Sequence, residues 1–224
     1  MSACQPFRDG QLSGFLHTPE GPHAGSLVLT HGAGANCQAP LLAAVAQAFQ
    51  NAGYYVLRCD LPFRQARRFG PPHPSQAAAD REGLRTAVIA LRRIAGGPVC
   101  LGGHSYGGRQ ASMLAAEDPE LAQRLLLLSY PLHPPRKPEQ LRTAHFPNLR
   151  TPALFVHGDA DPFGGIEEMN AALGDLSAPY RLSIVEKAGH DLKRGKLDLP
   201  AQIVLPFDEL LTPSHHFPGS AKHK

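Results

Sequence analysis

The sequence predicts an α/β fold, a doubly wound and mostly parallel sheet with helices on both faces. Short apolar runs alternate with alanine- and leucine-rich stretches of helical spacing, and parallel strands need such long crossovers. The runs are mostly apolar, as expected of strands covered on both faces. Four segments, HGAGA, GGHSYGG, HGDAD and AGHD, each follow such a run. That is where ligands meet sheets of this kind.

In chain order, SLVLT at 26–30 reads as a strand running into HGAGA. LLAAVAQAFQNA at 41–52 reads as a helix stopped by Gly53. YYVLRC at 54–59 is the next strand, and a loop rich in proline and arginine is expected from Asp60 to about Ser75. QAAADREGLRTAVIALRRI at 76–94 sets Leu84, Val88, Leu91 and Ile94 along one helical stripe. The run at 98–101 enters GGHSYGG, and RQASMLAAE then forms a helix that ends before Pro119. Apolar runs at 125–130, 152–157 and 181–185 supply further strands, and a closing helix is expected at 201–211.

A chain of 224 residues that is 42% hydrophobic can build one sizeable core, so a single domain is expected over 1–212, with a flexible tail at 213–224. No apolar run approaches the roughly 18 residues of a membrane-spanning helix. MSACQPFRDGQ at the start has no signal-peptide pattern, so a cytoplasmic location is expected. A net charge of +3, with bases and acids interspersed, gives no footprint for nucleic acid. Cys4, Cys37, Cys59 and Cys100 are widely spaced and read as reduced thiols. His215, His216 and His223 belong to the polar tail, and no metal or cofactor is expected. The oligomeric state is taken as monomeric.

Gly103-His104-Ser105-Tyr106-Gly107 fits G-x-S-x-G between a strand and a helix. Small flanking residues permit the sharp turn that holds Ser105 out at a helix N-terminus. A serine hydroxyl is a weak nucleophile and needs a base to take its proton. His190, in AGHD, is the only histidine between His157 and the tail. The imidazole in turn needs a carboxylate to fix its tautomer and stabilise its cation. HGDAD offers Asp159 and Asp161, and Asp161, further into the loop and stiffened by Pro162, is preferred. Oxyanion donors are expected from the backbone N–H of Tyr106 and of Ala33, with Gly34 as the alternative to Ala33. Arg64 and Gly34 are the substrate-binding candidates, although surface arginines such as Arg64, Arg67, Arg68 and Arg109 are more often solvated or paired.

Oxyanion loop, Ser105, Asp161 and His190 occur in an order that resembles the α/β-hydrolase superfamily, over roughly residues 26–211. LTHGAGA, DLPF at 60–63, GGHSYGGR and HGDADPFG resemble its small cap-less branch related to dienelactone hydrolases. That branch includes the hydrolase-like domains of an NSL-complex subunit and of testis-expressed proteins. The resemblance implies a serine hydrolase acting on a small ester or thioester, without cofactor. Dienelactone hydrolases use a cysteine nucleophile where Ser105 stands, so lactone specificity is not carried over. The short polar stretch between Tyr130 and Pro152 leaves no room for a cap domain. Peptide hydrolysis, acyl transfer and an idle hydrolase-like binding module remain as alternatives.

Overall fold

A computed structural model describes residues 3–211. Its sheet comprises β1 (Ala3–Asp9), β2 (Leu12–Thr18), β3 (Gly25–Thr30), β4 (Tyr54–Cys59), β5 (Cys100–His104), β6 (Leu125–Leu128), β7 (Ala153–Gly158) and β8 (Tyr180–Val185). The order across the sheet is β1-β2-β4-β3-β5-β6-β7-β8. Every pairing from β4 to β8 is parallel, whereas β1 and β2 add antiparallel at the β4 edge. The helices are α1 (Pro40–Asn51), α2 (Pro62–Ala66), α3 (Ala77–Ala95), α4 (Tyr106–Glu117), α5 (Ile166–Leu173) and α6 (Leu205–Asp208).

Successive strand residues point to opposite faces, and the apolar runs divide accordingly. Leu27, Leu29, Leu126 and Leu128 pack with Phe49 of α1 and Phe207 of α6. Val28, Leu101, Leu125 and Leu127 pack with Leu84 and Val88 of α3, Leu114 of α4 and Met169 of α5. Both faces are thereby covered, which is why these strands carry no polar alternation. Ile94, expected on the buried stripe of α3, is exposed near the helix end.

Between β3 and β5 the strand order reverses. The chain leaves β3 toward β4 on one side and returns to β5 on the other, so the loops after β3 and β5 diverge and leave a crevice at the carboxyl ends of these strands. HGAGA and GGHSYGG are those two loops.

Three features differ from the sequence expectation. The hairpin of β1 and β2 was not expected. Its outer strand is largely exposed, carries Pro6 and has no apolar run, as suits a sheet edge. The expected loop at 60–75 contains α2 and a 3₁₀ turn at Pro74–Gln76, each begun by a proline at its first helical position. The closing helix is irregular, with a π turn at Pro200–Val204, α6, and a 3₁₀ turn at Glu209–Leu211. Pro206 lacks the N–H that would bond one turn back, so a regular ladder cannot pass through it. The tail expected at 213–224 lies outside the described residues.

Between β6 and β7 the only helical element is a 3₁₀ turn at Phe146–Asn148, so no cap domain is inserted there. No helix among the described residues is long and apolar enough to cross a membrane.

Candidate active site

Ser105 ends the turn from β5 into α4 with φ 52° and ψ −116°, and its N–H donates to Leu128 O at 2.8 Å. A non-glycine residue with positive φ is strained by roughly 1–3 kcal/mol, and the close packing around the turn holds it there. A Cβ on Gly107 would lie 2.5 Å from His31 O, so only glycine lets α4 start against the end of β3. The strain lifts the Ser105 side chain above the sheet at the positive end of α4.

Ser105 Oγ lies 2.7 Å from His190 Nε2, and His190 Nδ1 lies 2.8 Å from Asp161 Oδ2. The second carboxylate oxygen accepts from Phe163 N–H at 2.9 Å. The Asp161 side chain has no solvent exposure, whereas that of His190 is 21% exposed. With Nδ1–H donated to the buried carboxylate, Nε2 is left as an acceptor facing the serine hydroxyl. His104 Nε2–H donates to His190 O at 2.8 Å, and the Phe163 ring lies 4.2 Å from the imidazole, centre to centre. Backbone and ring of His190 are both held.

Asp161 and His190 come together because the loops after β7 and β8 are laced to each other. Asp159 N–H donates to Val185 O at 3.2 Å and Ala160 N–H to Ala188 O at 3.0 Å. A Cβ on Gly158 would sit 2.3 Å from Ala188 O, so glycine is required for that approach. Asp159 faces solvent, while Asp161 turns inward.

The loop after β3 is clamped from beneath. Leu61 N–H donates to His31 Nε2 at 3.1 Å, so the other ring nitrogen carries the proton and donates to Gly32 O at 2.9 Å. A trans peptide aims its N–H opposite to its C=O, so His31 orients the N–H of Ala33. Burial holds the His31 pKa below its usual value and keeps the ring neutral. A Cβ on Gly32 would come within 3.4 Å of Ser105 Cβ, which places this backbone against Ser105.

Arg64 takes a different place from the one the sequence suggested. It is buried at 7% exposure. Nε donates to Ala35 O, Nη1 to Arg67 O and Arg68 O, and Nη2 to Ala33 O and Gly70 O, over 2.7–3.1 Å. A guanidinium has five N–H donors, and all five are taken, leaving none for a substrate. Arg64 ties the loop after β3 to the loop at 67–70. Gly34 is exposed on that tied loop, and nothing lies within 4 Å of where its Cβ would stand.

Tyr106, the first residue of α4, turns away from Ser105. Its hydroxyl donates to Asp80 Oδ2 at 2.7 Å, and its ring packs edge-on against Phe63. Burial and the Asp80 carboxylate raise the phenol pKa. Its N–H, in the first turn, has no intrahelical partner. A cavity of about 430 Å³ adjoins Gly32 and His104 and is walled by Gly34, Leu41, Arg68 and Phe69. A larger cleft of about 890 Å³ runs from Ser13 to Glu82 and Thr86, and Ser105, Asp161 and His190 line neither; the smaller cavity reaches their neighbours His104 and Asp191. Cys4, Cys37, Cys59 and Cys100 are free thiols. Among the described residues no cluster of three or more metal-ligating side chains occurs.

Sequence reasoning missed the ring of Phe163 against His190, whereas His31 and His104 each hydrogen-bond a loop, as their place beside the chemistry suggests. For His31 and His104 the available signal was adjacency to the two glycine-rich loops. For Phe163 there was none, since its contact joins different strands.

This fold, with a serine, histidine and aspartate in contact at the ends of parallel strands, defines a class. The family model described as alpha/beta hydrolase domain matches residues 23–200, and the chain belongs to that family. Among solved structures, a dienelactone hydrolase from Anabaena variabilis is 25% identical, with a TM-score of 0.68 over 86% of this chain and 89% of that one. A serine hydrolase without lid from Xanthomonas campestris is 18% identical, with a TM-score of 0.64 over 85% and 86%. An alpha-beta serine hydrolase homologue from Coxiella burnetii is 16% identical, with a TM-score of 0.66 over 85% and 90%. The last two share the fold.

Proposed function

We propose that this hydrolase cleaves carboxylic esters or thioesters through an acyl-enzyme on Ser105. The observation that carries the reading is the continuous contact from Ser105 Oγ through His190 to buried Asp161. Ser105 Oγ attacks the acyl carbon as its proton passes to His190 Nε2. Asp161 holds the ring in the required tautomer and stabilises the imidazolium. The oxyanion accepts hydrogen bonds from the N–H groups of Tyr106 and Ala33, the first at a helix N-terminus and the second aimed through His31. Collapse expels the alkoxide or thiolate, which takes the proton from His190. Water then repeats the sequence, giving the acid and free Ser105. The 430 Å³ cavity beside Gly32 and His104 is open, which suits a modest group better than a long buried chain.

Labelling with a fluorophosphonate followed by peptide mapping tests this reading. The adduct is expected on Ser105. It should vanish in Ser105→Ala, together with turnover of 4-nitrophenyl acetate, while the unfolding temperature stays close to wild type. Turnover that survives unchanged in purified Ser105→Ala would remove the serine mechanism.

A further inference from the structure

We propose that the substrate carries an aromatic ring, which lies in the 430 Å³ cavity against the ring of Phe69. The proposal rests on Ser105 being the nucleophile. The cavity adjoins Ser105 and His190 through two of its lining residues. A Cβ on Gly32 would come within 3.4 Å of Ser105 Cβ, and His104 donates to His190 O at 2.8 Å. Ala39, Leu41 and Leu42 give the cavity an apolar wall, and Arg68 and Phe69 also line it. Phe69 is 72% exposed, the highest value among the exposed large hydrophobic residues. The others are Ile89, Ile94, Leu141, Tyr180, Ile184 and Leu205, and none of these lines the cavity or the larger cleft.

The loop is not free to fold this ring away. Arg64 holds the carbonyls of Arg68 and Gly70, the residues on either side of Phe69, at 2.7 and 3.0 Å. The bare ring is therefore fixed in the wall of a cavity beside Ser105, and a group bound in that cavity covers it. The open cavity favours an arene over a saturated chain. A chain that is not enclosed collects only part of its burial energy, whereas aromatic pairs gain beyond their area from a single offset or edge-on contact. Arg68 acts in the same direction. Its guanidinium lies 5.2 Å from the centre of the Phe69 ring, and it has no carboxylate partner among the described residues. The cavity's Asp191 and Lys193 face each other at 3.6 Å, which leaves Arg68 as an uncompensated cation. Such a cation is attracted to the π-face of an arene and gains nothing comparable from a saturated ring.

The test uses esters that contain no ring besides the one compared, followed by pH-stat. Methyl phenylacetate is set against methyl cyclohexylacetate, and benzyl acetate against cyclohexylmethyl acetate, so the ring is varied first in the acyl group and then in the alcohol. The ratio of kcat/KM within a pair is divided by the ratio of the two rates with hydroxide ion, which removes differences in inherent reactivity. Wild type should favour the arene by about threefold to tenfold in at least one pair, the worth of an aromatic contact beyond its area. The gain should lie in KM, since a contact made equally in ground and transition states leaves kcat unchanged. Phe69→Ala and Phe69→Leu should bring the ratio close to one, and Phe69→Tyr should keep it. Losses of folding or turnover common to both esters cancel in the ratio. A wild-type ratio at or below one in both pairs overturns the proposal. A ratio that Phe69→Leu leaves unchanged also overturns it, because apolar area would then suffice. Failure of the Ser105 reading shows separately, as ester turnover that persists in Ser105→Ala or is absent from wild type. Saturation-transfer NMR of the same esters on Ser105→Ala reads the ring without turnover. Stronger transfer to the arene, lost when Phe69→Leu is added, supports the proposal, and equal transfer to both rings overturns it.

Discussion

Arg64→Met separates two roles for an arginine beside the active site, binding substrate and holding backbone. Wild-type Arg64 places all five donors on carbonyls, at Ala33, Ala35, Arg67, Arg68 and Gly70. The last three belong to exposed residues, where water can replace the guanidinium. Ala33 and Ala35 are half-buried, and losing a charged donor at each costs about 1.5 kcal/mol, or about 3 kcal/mol together. For a domain of this size about 3 kcal/mol lowers the unfolding temperature by roughly 6–12 °C. The Ala33 carbonyl also belongs to the peptide that aims Gly34 N–H, so the loop beside the oxyanion loosens and kcat should fall by about tenfold or more, a fraction of what outright removal of a donor does. Arg64→Lys, with charge kept but the fork lost, should recover only part of either quantity. Differential scanning fluorimetry and 4-nitrophenyl acetate kinetics measure both. An unchanged unfolding temperature, with KM raised only for anionic esters, would refute the strut and restore Arg64 as a substrate ligand.

Asp161→Asn should lower kcat by on the order of 10⁴, as loss of the orienting carboxylate does in a well-studied serine protease, with Asp159→Asn the milder change. A greater loss from Asp159→Asn, assayed under the same conditions, would show that the acid is misassigned. Across 4-nitrophenyl esters from acetyl to octanoyl, the gain in kcat/KM per carbon should stay below the ~0.8 kcal/mol of a fully buried methylene, because the cavity beside Gly32 is open. A steady gain of that size through octanoyl would mean that the loop carrying Arg68 and Phe69 closes as a lid. Burial lowers the pKa values of His17, His31, His104 and His157 from 6.5, and burial with the Arg109 charge holds His145 at about 4. The unfolded chain therefore binds protons that the native protein refuses, and stability should fall as pH drops below about 6.5. The unfolding temperature should be lower at about pH 5 than at about pH 7.5, and His145→Asn should shrink the difference; equal temperatures at both would contradict the neutral burial of these rings.

Much of the molecule was legible because local chemistry dictated it. A strand buried on both faces has to be mostly apolar, so 26–30, 54–59 and 125–130 declared themselves. A serine between glycines at a strand-to-helix turn has one geometry open to it. The preference for Asp161 over Asp159 also came from local reasoning about a stiffened loop, and it is Asp161 that the structure brings to His190. The β1–β2 hairpin escaped notice because an exposed edge strand carries no apolar signature. The five carbonyl partners of Arg64 were not legible, because an arginine in a proline-rich loop reads the same whether it faces solvent or five carbonyls. Only the fold, by laying the 67–70 loop against HGAGA, decides where its donors go. The hydrogen bond of His145 to Ser112 is likewise set by how the β6–β7 segment crosses α4, a contact between residues 33 apart. Periodicity and motif record what each segment must bury or bend around. Long-range polar contacts depend on which segments meet, and that is determined by the sheet order and the packing of loops above it.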